Sequence, residues 1–355
     1  MKAKIALLSG DGIGPEIMVQ GVKVLNTIAE KYNHEFIYRE GLIGGAAIDA
    51  TGIPYPDDTH ELCLNADAIL FGAIGDPKYD NNPSATVRPE QGLLAMRKKL
   101  GLYANLRPVR TFPSLFDKSP LKSDRLEGVD FMVVRELTGG IYFGQPSEID
   151  EEGMNSVDTC LYSKDEILRA ARIAFDLAGN SRNKLTLVDK ANVLATSRLW
   201  RKTVQELAPE YPEVEVEYLF VDNAAMQLII RPNQFDVILT ENMFGDILTD
   251  EASVLPGSIG LQPSASVGDK TSVFEPIHGS YPQASGKHIA NPYGMILSVA
   301  MMLDKQFSLK NEAGIIVKAV EEALDTGFGT VDLFPNQPVS TELAGQFIID
   351  YIKRI

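Results

Sequence analysis

The chain is poor in cysteine, short of basic residues and free of long apolar runs. Its two cysteines, Cys63 and Cys160, cannot build a disulfide framework or a cysteine-rich metal site. Cys63, in "ELCLNADAIL", reads as a buried apolar residue. Lysine and arginine number 33 against 48 acidic residues, for a net charge of −15. Binding to a nucleic-acid backbone needs the opposite sign, and acidity itself mainly reports solubility. No run approaches the ~18 apolar residues of a membrane span. The start, MKAKIALLSG, has too short an apolar stretch and no small-residue cleavage site for a secretory signal. The expectation is a cytoplasmic protein that binds neither nucleic acid nor membrane.

What is present fits a globular α/β chain. A length of 355 residues with 45% hydrophobic content points to two domains with sizeable cores. β-rich runs at 4–8, 35–39, 67–72, 130–134, 185–189, 215–221 and 235–240 alternate with amphipathic patterns near 15–32, 90–100, 164–179, 197–208, 223–230 and 312–325. That alternation predicts parallel or mixed sheets. The stretch 137–156, "LTGGIYFGQPSEIDEEGMNS", reads as a protruding hairpin or arm. Residues 255–295 read as long loops, of the kind that carry function.

The opening "KIALLSGDGIGPEIM" resembles the strand–glycine–helix turn that cradles a dinucleotide pyrophosphate. Gly10 and Gly12 fit the G-x-G-x-x-G pattern, but Pro15 stands where the third glycine allows close helix–strand packing. Glu40 imitates the ribose-binding acid at a longer distance than usual. Proline suits the first turn of a helix, so the stretch reads as a tight strand-to-helix turn.

Three other stretches carry chemistry. In "RPEQGLLAMRKKLGLYANLRP", Glu90, Leu93, Leu94 and Arg97 fall on one helical stripe, able to line a pocket for a ligand with an apolar branch and an acidic end. Arg107 and Arg135 lie beside element ends, and arginine's planar fork suits carboxylates. In "ENMFGDILTDEASVL", Asp246 and Asp250 are four apart on a predicted helix, where a divalent cation would relieve their repulsion; Asp222, closing an apolar strand, offers a third oxygen. In "LTLVDKANVL", Lys190 ends an apolar strand, where apolar neighbours and another cation make a lysine a base. Tyr142, in "TGGIYFG", is a candidate acid.

In this order, "GDGIGPE", "RPEQGLLAMRKKLGLYANLRP", "RELTGGIYFG", "DKANVL", "ENMFGDILTDEAS", "GLQPSAS", "FEPIHGS" and "GKHIANP" resemble the β-decarboxylating dehydrogenases, most closely the members acting on 3-isopropylmalate. The resemblance covers nearly the whole chain. It implies a two-domain α/β fold, distinct from the Rossmann fold, with mixed parallel and antiparallel sheets and an active-site cleft. The implied cofactor domain is 1–103 with 257–355. Residues 104–256 would form the dimerisation, substrate and metal domain, with its arm near 137–156. It further implies NAD⁺-dependent oxidation and decarboxylation of 3-isopropylmalate to 2-oxoisocaproate, for leucine synthesis.

By the same resemblance Arg97, Arg107 and Arg135 clamp the malate carboxylates. Asp222, Asp246 and Asp250 hold Mg²⁺ or Mn²⁺ with the substrate oxygens, Lys190 takes the hydroxyl proton, and Tyr142 protonates the enol carbon. Glu90, Leu93 and Leu94 receive the isopropyl group. Glu275, His278, Gly279, Ser280, Gln283 and Asn291 bind the cofactor. Lys190, Asn192 and Asp222 come from the partner subunit of a homodimer. Asn192 joins the cofactor contacts. The Gly10–Pro15 turn then borders the nicotinamide side and does not cradle the pyrophosphate. NAD-dependent relatives usually carry aspartate at the position of Gln283. NADP-dependent relatives carry lysine and tyrosine where this chain has Gln283 and Ala284, and an arginine where it has Pro335. Here Val331 follows Thr330 where they have tyrosine. The implied cofactor is NAD, with weaker discrimination against NADP. Two rival readings are a tartrate or D-malate dehydrogenase, against which Leu93 and Leu94 speak, and a catalytically silent nucleotide-binding homologue, which would be expected to lack some of the catalytic side chains.

Overall fold

A computed structural model describes residues 1–81 and 85–355. The chain forms two compact units, one of Met1–Gly101, Phe112–Lys118 and Pro256–Ile355, the other of Leu102–Thr111 and Ser119–Leu255. In chain order the strands are β1 (Lys2–Gly10), β2 (Glu35–Glu40), β3 (Ala68–Ala73), β4 (Ala104–Arg110), β5 (Asp130–Glu136), β6 (Ser147–Ile149), β7 (Ser156–Asp158), β8 (Lys184–Asp189), β9 (Glu215–Phe220), β10 (Val237–Thr240), β11 (Pro263–Val267) and β12 (Ser272–Pro276).

In the first unit the strand order is β2-β1-β3-β12-β11. The pairs are parallel except β11 with β12, an antiparallel hairpin. Every residue of β3, "AILFGA", is buried, as expected for a parallel strand covered on both faces. The helix Gly14–Tyr32 carries proline in its first turn and buries Ile17, Met18, Gly21, Val24, Leu25 and Ile28. That spacing is one face of a 3.6-residue period. Asn33 ends it in the left-handed conformation, which asparagine tolerates better than most residues.

Residues 255–295 differ from the expected long loop, since they contain β11, β12 and the start of the helix Tyr293–Lys305. Serine and proline in "PSASV" and "SVFEP" mimic turn composition, yet β12 is wholly buried and β11 is buried at its three central residues. The helix Tyr293–Lys305 is buried continuously from Tyr293 to Leu303, so it shows no amphipathic period to read. The last helix, Thr341–Arg354, begins at Ser340, whose hydroxyl accepts from Leu343 N.

The second unit orders its strands β4-β5-β10-β8-β9, with β4 antiparallel to β5 and the other pairs parallel. The helix Lys164–Gly179 opens with a reciprocal cap between Ser163 and Glu166 and buries Ile167, Ala171, Ala174 and Phe175. The expected arm contains a 3₁₀ turn, Gly140–Tyr142, followed by the antiparallel hairpin β6–β7, whose residues are all exposed. Among the described residues no helix is long and apolar enough to cross a membrane. Cys63 is buried, and burial pushes its thiol up to about 11, so it is chemically quiet.

Candidate active site

The second unit gathers most of the charged candidates around the helix Asn242–Ser253. Arg135, near the end of β5, is 4% exposed. Its stem packs against Gly245, where an added Cβ would lie 2.6 Å from Arg135 Cγ. The guanidinium is held by Asn242 Oδ1 at 3.0 Å and pairs through Nη1 with Asp246. The Tyr142 hydroxyl donates to the other oxygen of Asp246 at 2.8 Å. Burial, reinforced by that hydrogen bond, holds the Tyr142 phenol above its ordinary pKa. A phenol is protonated at neutral pH even at its ordinary pKa, and the shift reinforces the form that a proton donor requires.

One turn further along, Asp250 lies 3.3 Å from Arg107 Nη1. Arg107 also donates to Asn105 Oδ1 at 2.8 Å and Thr249 Oγ1 at 2.7 Å. Little in the sequence marks Asn105 and Thr249. Their signal is only that they neighbour Arg107 by two residues and Asp250 by one. Asp246 thus pairs with Arg135 and Asp250 with Arg107.

Lys190 follows β8 directly. Its ammonium lies 2.6 Å from Asp222 Oδ1 and 5.9 Å from the centre of the Phe220 ring. The expected apolar setting is therefore only partial, because a carboxylate holds the ammonium. Asp222 does not close a strand, as expected, but lies in the first turn of the helix Val221–Ile230. The hydrogen bond from Lys190 keeps the Asp222 carboxyl below its ordinary range. Beneath Lys190, Asp189 is gripped by Arg201 through two contacts of 2.8 Å, a bidentate pair that fixes the strand end. Asn192 is exposed in the turn that follows.

Asp246 and Asp250 present carboxylate oxygens from one helix, which suits Mg²⁺ or Mn²⁺. Asp222 does not join them in a metal-holding group among the described residues. Among the described residues no group of three His, Cys, Asp or Glu side chains is arranged to hold a metal ion.

In the first unit, Pro89, Gly92, Met96 and Leu100 form the buried side of the helix Pro89–Leu100. The stripe of Glu90, Leu93, Leu94 and Arg97 lies off that side, with Leu94 44% exposed. These leucines are not core residues of their helix. Arg97 Nη2 lies 3.5 Å from Glu275 Oε1 on β12, and Arg97 Nε is buried without a partner.

His278, Gly279 and Ser280 follow β12. The His278 ring nitrogen Nδ1 donates to the Gly279 carbonyl at 3.0 Å, so Nε2 is the bare acceptor; it is buried and unpartnered. Burial depresses the His278 pKa, which keeps the ring neutral. Asn291 is 6% exposed and donates to Asp332 at 3.0 Å. Asp332 also accepts from Ser258 and Thr330, an orienting role that its sequence context does not signal. Gln283 is exposed in a short 3₁₀ turn, Pro282–Ala284.

The opening glycine turn is engaged with the protein itself. Gly10 and Gly12 have φ of 67° and 58°, and a Cβ on Gly12 would lie 2.0 Å from the Ser280 carbonyl oxygen. The N–H groups of Asp11, Ile13 and Gly14 donate to Ala73, Ser280 and Asp11 carbonyls. The Asp11 carboxylate accepts from the backbone of Gly45, Ala46 and Gly75. A phosphate cradle needs free N–H groups and no buried carboxylate at its centre. This turn instead braces the 280–286 loop, since Ser285 donates to Gly12 O and Gly286 N donates to Glu16.

An α/β protein with arginines set against helix-borne aspartates has the equipment of an enzyme for small anionic substrates. Comparison with known proteins narrows that class. Residues 4–348 match the family described as isocitrate/isopropylmalate dehydrogenase, and the chain belongs to that family. It is 54% identical over 356 residues to a 3-isopropylmalate dehydrogenase of Bacteroides fragilis, covering 100% of both chains. Against the protein of the same description from Bacillus subtilis it is 54% identical over 348 residues, covering 97% of this chain and 95% of that one. The crystal structure of an isocitrate dehydrogenase from Methylococcus capsulatus superposes with a TM-score of 0.87 at 34% identity, covering 99% of each chain. The resemblance read from the motifs therefore holds across the chain.

Proposed function

We propose that the protein oxidises and decarboxylates 3-isopropylmalate with NAD⁺, giving 2-oxoisocaproate, CO₂ and NADH, as a step of leucine synthesis. The observation that carries this reading is the placement of a protonated phenol, Tyr142, on the same aspartate that pairs with Arg135. Acid and carboxylate clamp share one anchor. Arg97, Arg107 and Arg135 take the malate carboxylates, and the bidentate fork orients them. Lys190 removes the hydroxyl proton as the C2 hydride leaves for NAD⁺. After CO₂ departs, Tyr142 delivers a proton to C3. Asp246 and Asp250, with Asp222 of the partner subunit, are oxygen donors suited to a divalent cation. When bound it would withdraw charge from the substrate oxygen and stabilise the negative charge left by decarboxylation.

Leu93 and Leu94 receive the isopropyl branch. Their position off the buried side of their helix supports a ligand-facing role. A third carboxylate placed there would be poorly solvated, which disfavours isocitrate. Glu275, His278, Gly279, Ser280, Gln283 and Asn291 contact NAD, with Asn192 from the partner. Gln283 can still hydrogen-bond a ribose diol but does not repel a 2′-phosphate.

The active unit is a homodimer. Met226, Ile229, Ile230 and Ile247, on the helices Val221–Ile230 and Asn242–Ser253, are each at least half exposed, as are Ile149 and Met154 of the β6–β7 region. The two helices pack against each other, and exposed apolar groups on adjoining elements support an association surface. Mixing two inactive variants, Lys190→Ala and Asp246→Asn, tests the shared site. Re-paired subunits should recover about a quarter of wild-type activity, by random pairing in a two-fold dimer. No recovery would place Lys190 and Asp246 in one chain's site.

A further inference from the structure

Asn242 is 1% exposed and first in its helix, and all of its polar side-chain atoms are committed. Its Oδ1 accepts from Arg135 Nε at 3.0 Å, and its Nδ2 donates to the Gly139 carbonyl at 3.2 Å. Arg135 Nε–H can only donate and a carbonyl can only accept, so the orientation of the amide is fixed by its partners. The backbone N–H of Asn242 donates to the Tyr162 hydroxyl at 2.9 Å.

Gly139 begins the turn that carries Tyr142. The Tyr162 ring packs so closely there that a Cβ on Gly139 would lie 2.6 Å from ring carbon Cε1. The Glu136 carboxylate accepts from Gly139 N at 2.8 Å and from the Thr138 backbone and hydroxyl. Gly139, three residues ahead of Tyr142, is therefore clamped at its N–H by Glu136 and at its carbonyl by Asn242. The circuit closes through Asp246, which receives Arg135 on one oxygen and Tyr142 on the other. One buried amide thus joins the guanidinium to the loop bearing the phenol.

We propose that Asn242 is a positioning residue that sets the spacing between the Arg135 carboxylate clamp and the Tyr142 proton donor. It touches no substrate. It holds the two groups in register, so that a substrate gripped by Arg135 presents its C3 to the phenol after CO₂ leaves. This rests on the reading of Tyr142 as the group that protonates C3. Displacing such a group by an ångström costs about 100-fold in rate.

The test separates proton transfer from binding. With Mg²⁺ present, the enzyme should exchange the C3 hydrogens of 2-oxoisocaproate for deuterium in D₂O, the reverse of the protonation step, followed by NMR. Asn242→Asp keeps an acceptor for Arg135 and loses the donor to Gly139. It should lower exchange about 10–100-fold while the KM for 3-isopropylmalate changes little. Asn242→Leu loses both contacts and should raise KM as well. Glu136→Gln loosens Gly139 at its N–H instead of its carbonyl and should lower exchange with KM unchanged, so the idea stays testable if the Asn242 variants fold poorly. In Tyr142→Phe, adding Asn242→Asp should cost little more, because contacts acting through one group are not additive. Full exchange in Asn242→Asp, or a fully additive double variant, overturns the role of Asn242. If Tyr142→Phe itself exchanges at the wild-type rate, the underlying assignment of Tyr142 fails, and the role of Asn242 fails with it.

Discussion

The Tyr142 hydroxyl donates to Asp246 at 2.8 Å while Arg135 pairs with the other oxygen of the same carboxylate. One aspartate thereby holds a phenol and a guanidinium together. Partial burial first and this hydrogen bond second raise the pKa of the phenol further above its ordinary value. Replacing Tyr142 by phenylalanine should lower kcat about 10²–10⁴-fold, the usual worth of a general acid. The KM for 3-isopropylmalate should hardly move, because the arginines are untouched. Steady-state kinetics checks both numbers.

The leucine stripe makes a second prediction. Leu93 and Leu94 lie off the buried side of their helix, so shortening both to alanine should leave the fold intact. The kcat/KM for 3-isopropylmalate should then fall about 10–200-fold relative to that for D-malate, the range for lost methylenes in an apolar pocket. A substrate panel with thermal melts separates this from general destabilisation.

How far the sequence reveals the structure depends on the kind of signal. The helix Gly14–Tyr32 and the buried strand β3 announce themselves through period and composition. Asp246 and Asp250 show their common face through a four-residue spacing. The helix Tyr293–Lys305 is hidden because it is buried on all sides, and β11 and β12 because their serines and prolines look like turns. The hydrogen bonds of Asn242 join segments more than 100 residues apart. No local pattern encodes such a link. The ion pair of Lys190 with Asp222 spans 32 positions and is equally silent in the sequence.

Gln283 sets a third prediction. Substituting aspartate should raise the preference for NAD⁺ over NADP⁺ by about ten-fold or more, since a carboxylate facing the 2′-phosphate adds a like-charge repulsion. The ratio of kcat/KM values for the two cofactors gives the answer, and an unchanged ratio would remove Gln283 from the ribose site.

Glu136 gives a pH dependence with a definite sign. Burial raises its pKa, against the opposing hydrogen bonds from Thr138 and Gly139. The folded state then binds this proton more readily than the unfolded state, whose carboxyl has the ordinary value. Its contribution to stability is fully present below the ordinary glutamate pKa and is lost as pH rises through the raised folded value. Relative to Glu136→Gln, which does not titrate, the wild-type protein should gain melting temperature as the buffer is taken from neutral to mildly acidic. A difference independent of pH would show that Glu136 keeps an ordinary pKa.

The most direct test of the central claim is the initial rate of NADH formation, followed at 340 nm with 3-isopropylmalate, NAD⁺ and Mg²⁺ and repeated with D-malate and with NADP⁺. Rapid turnover is expected with 3-isopropylmalate and NAD⁺, slower turnover with NADP⁺, and little with D-malate. Equal or faster oxidation of D-malate would contradict the leucine-lined pocket, and a kcat/KM for NADP⁺ at or above that for NAD⁺ would contradict the cofactor assignment.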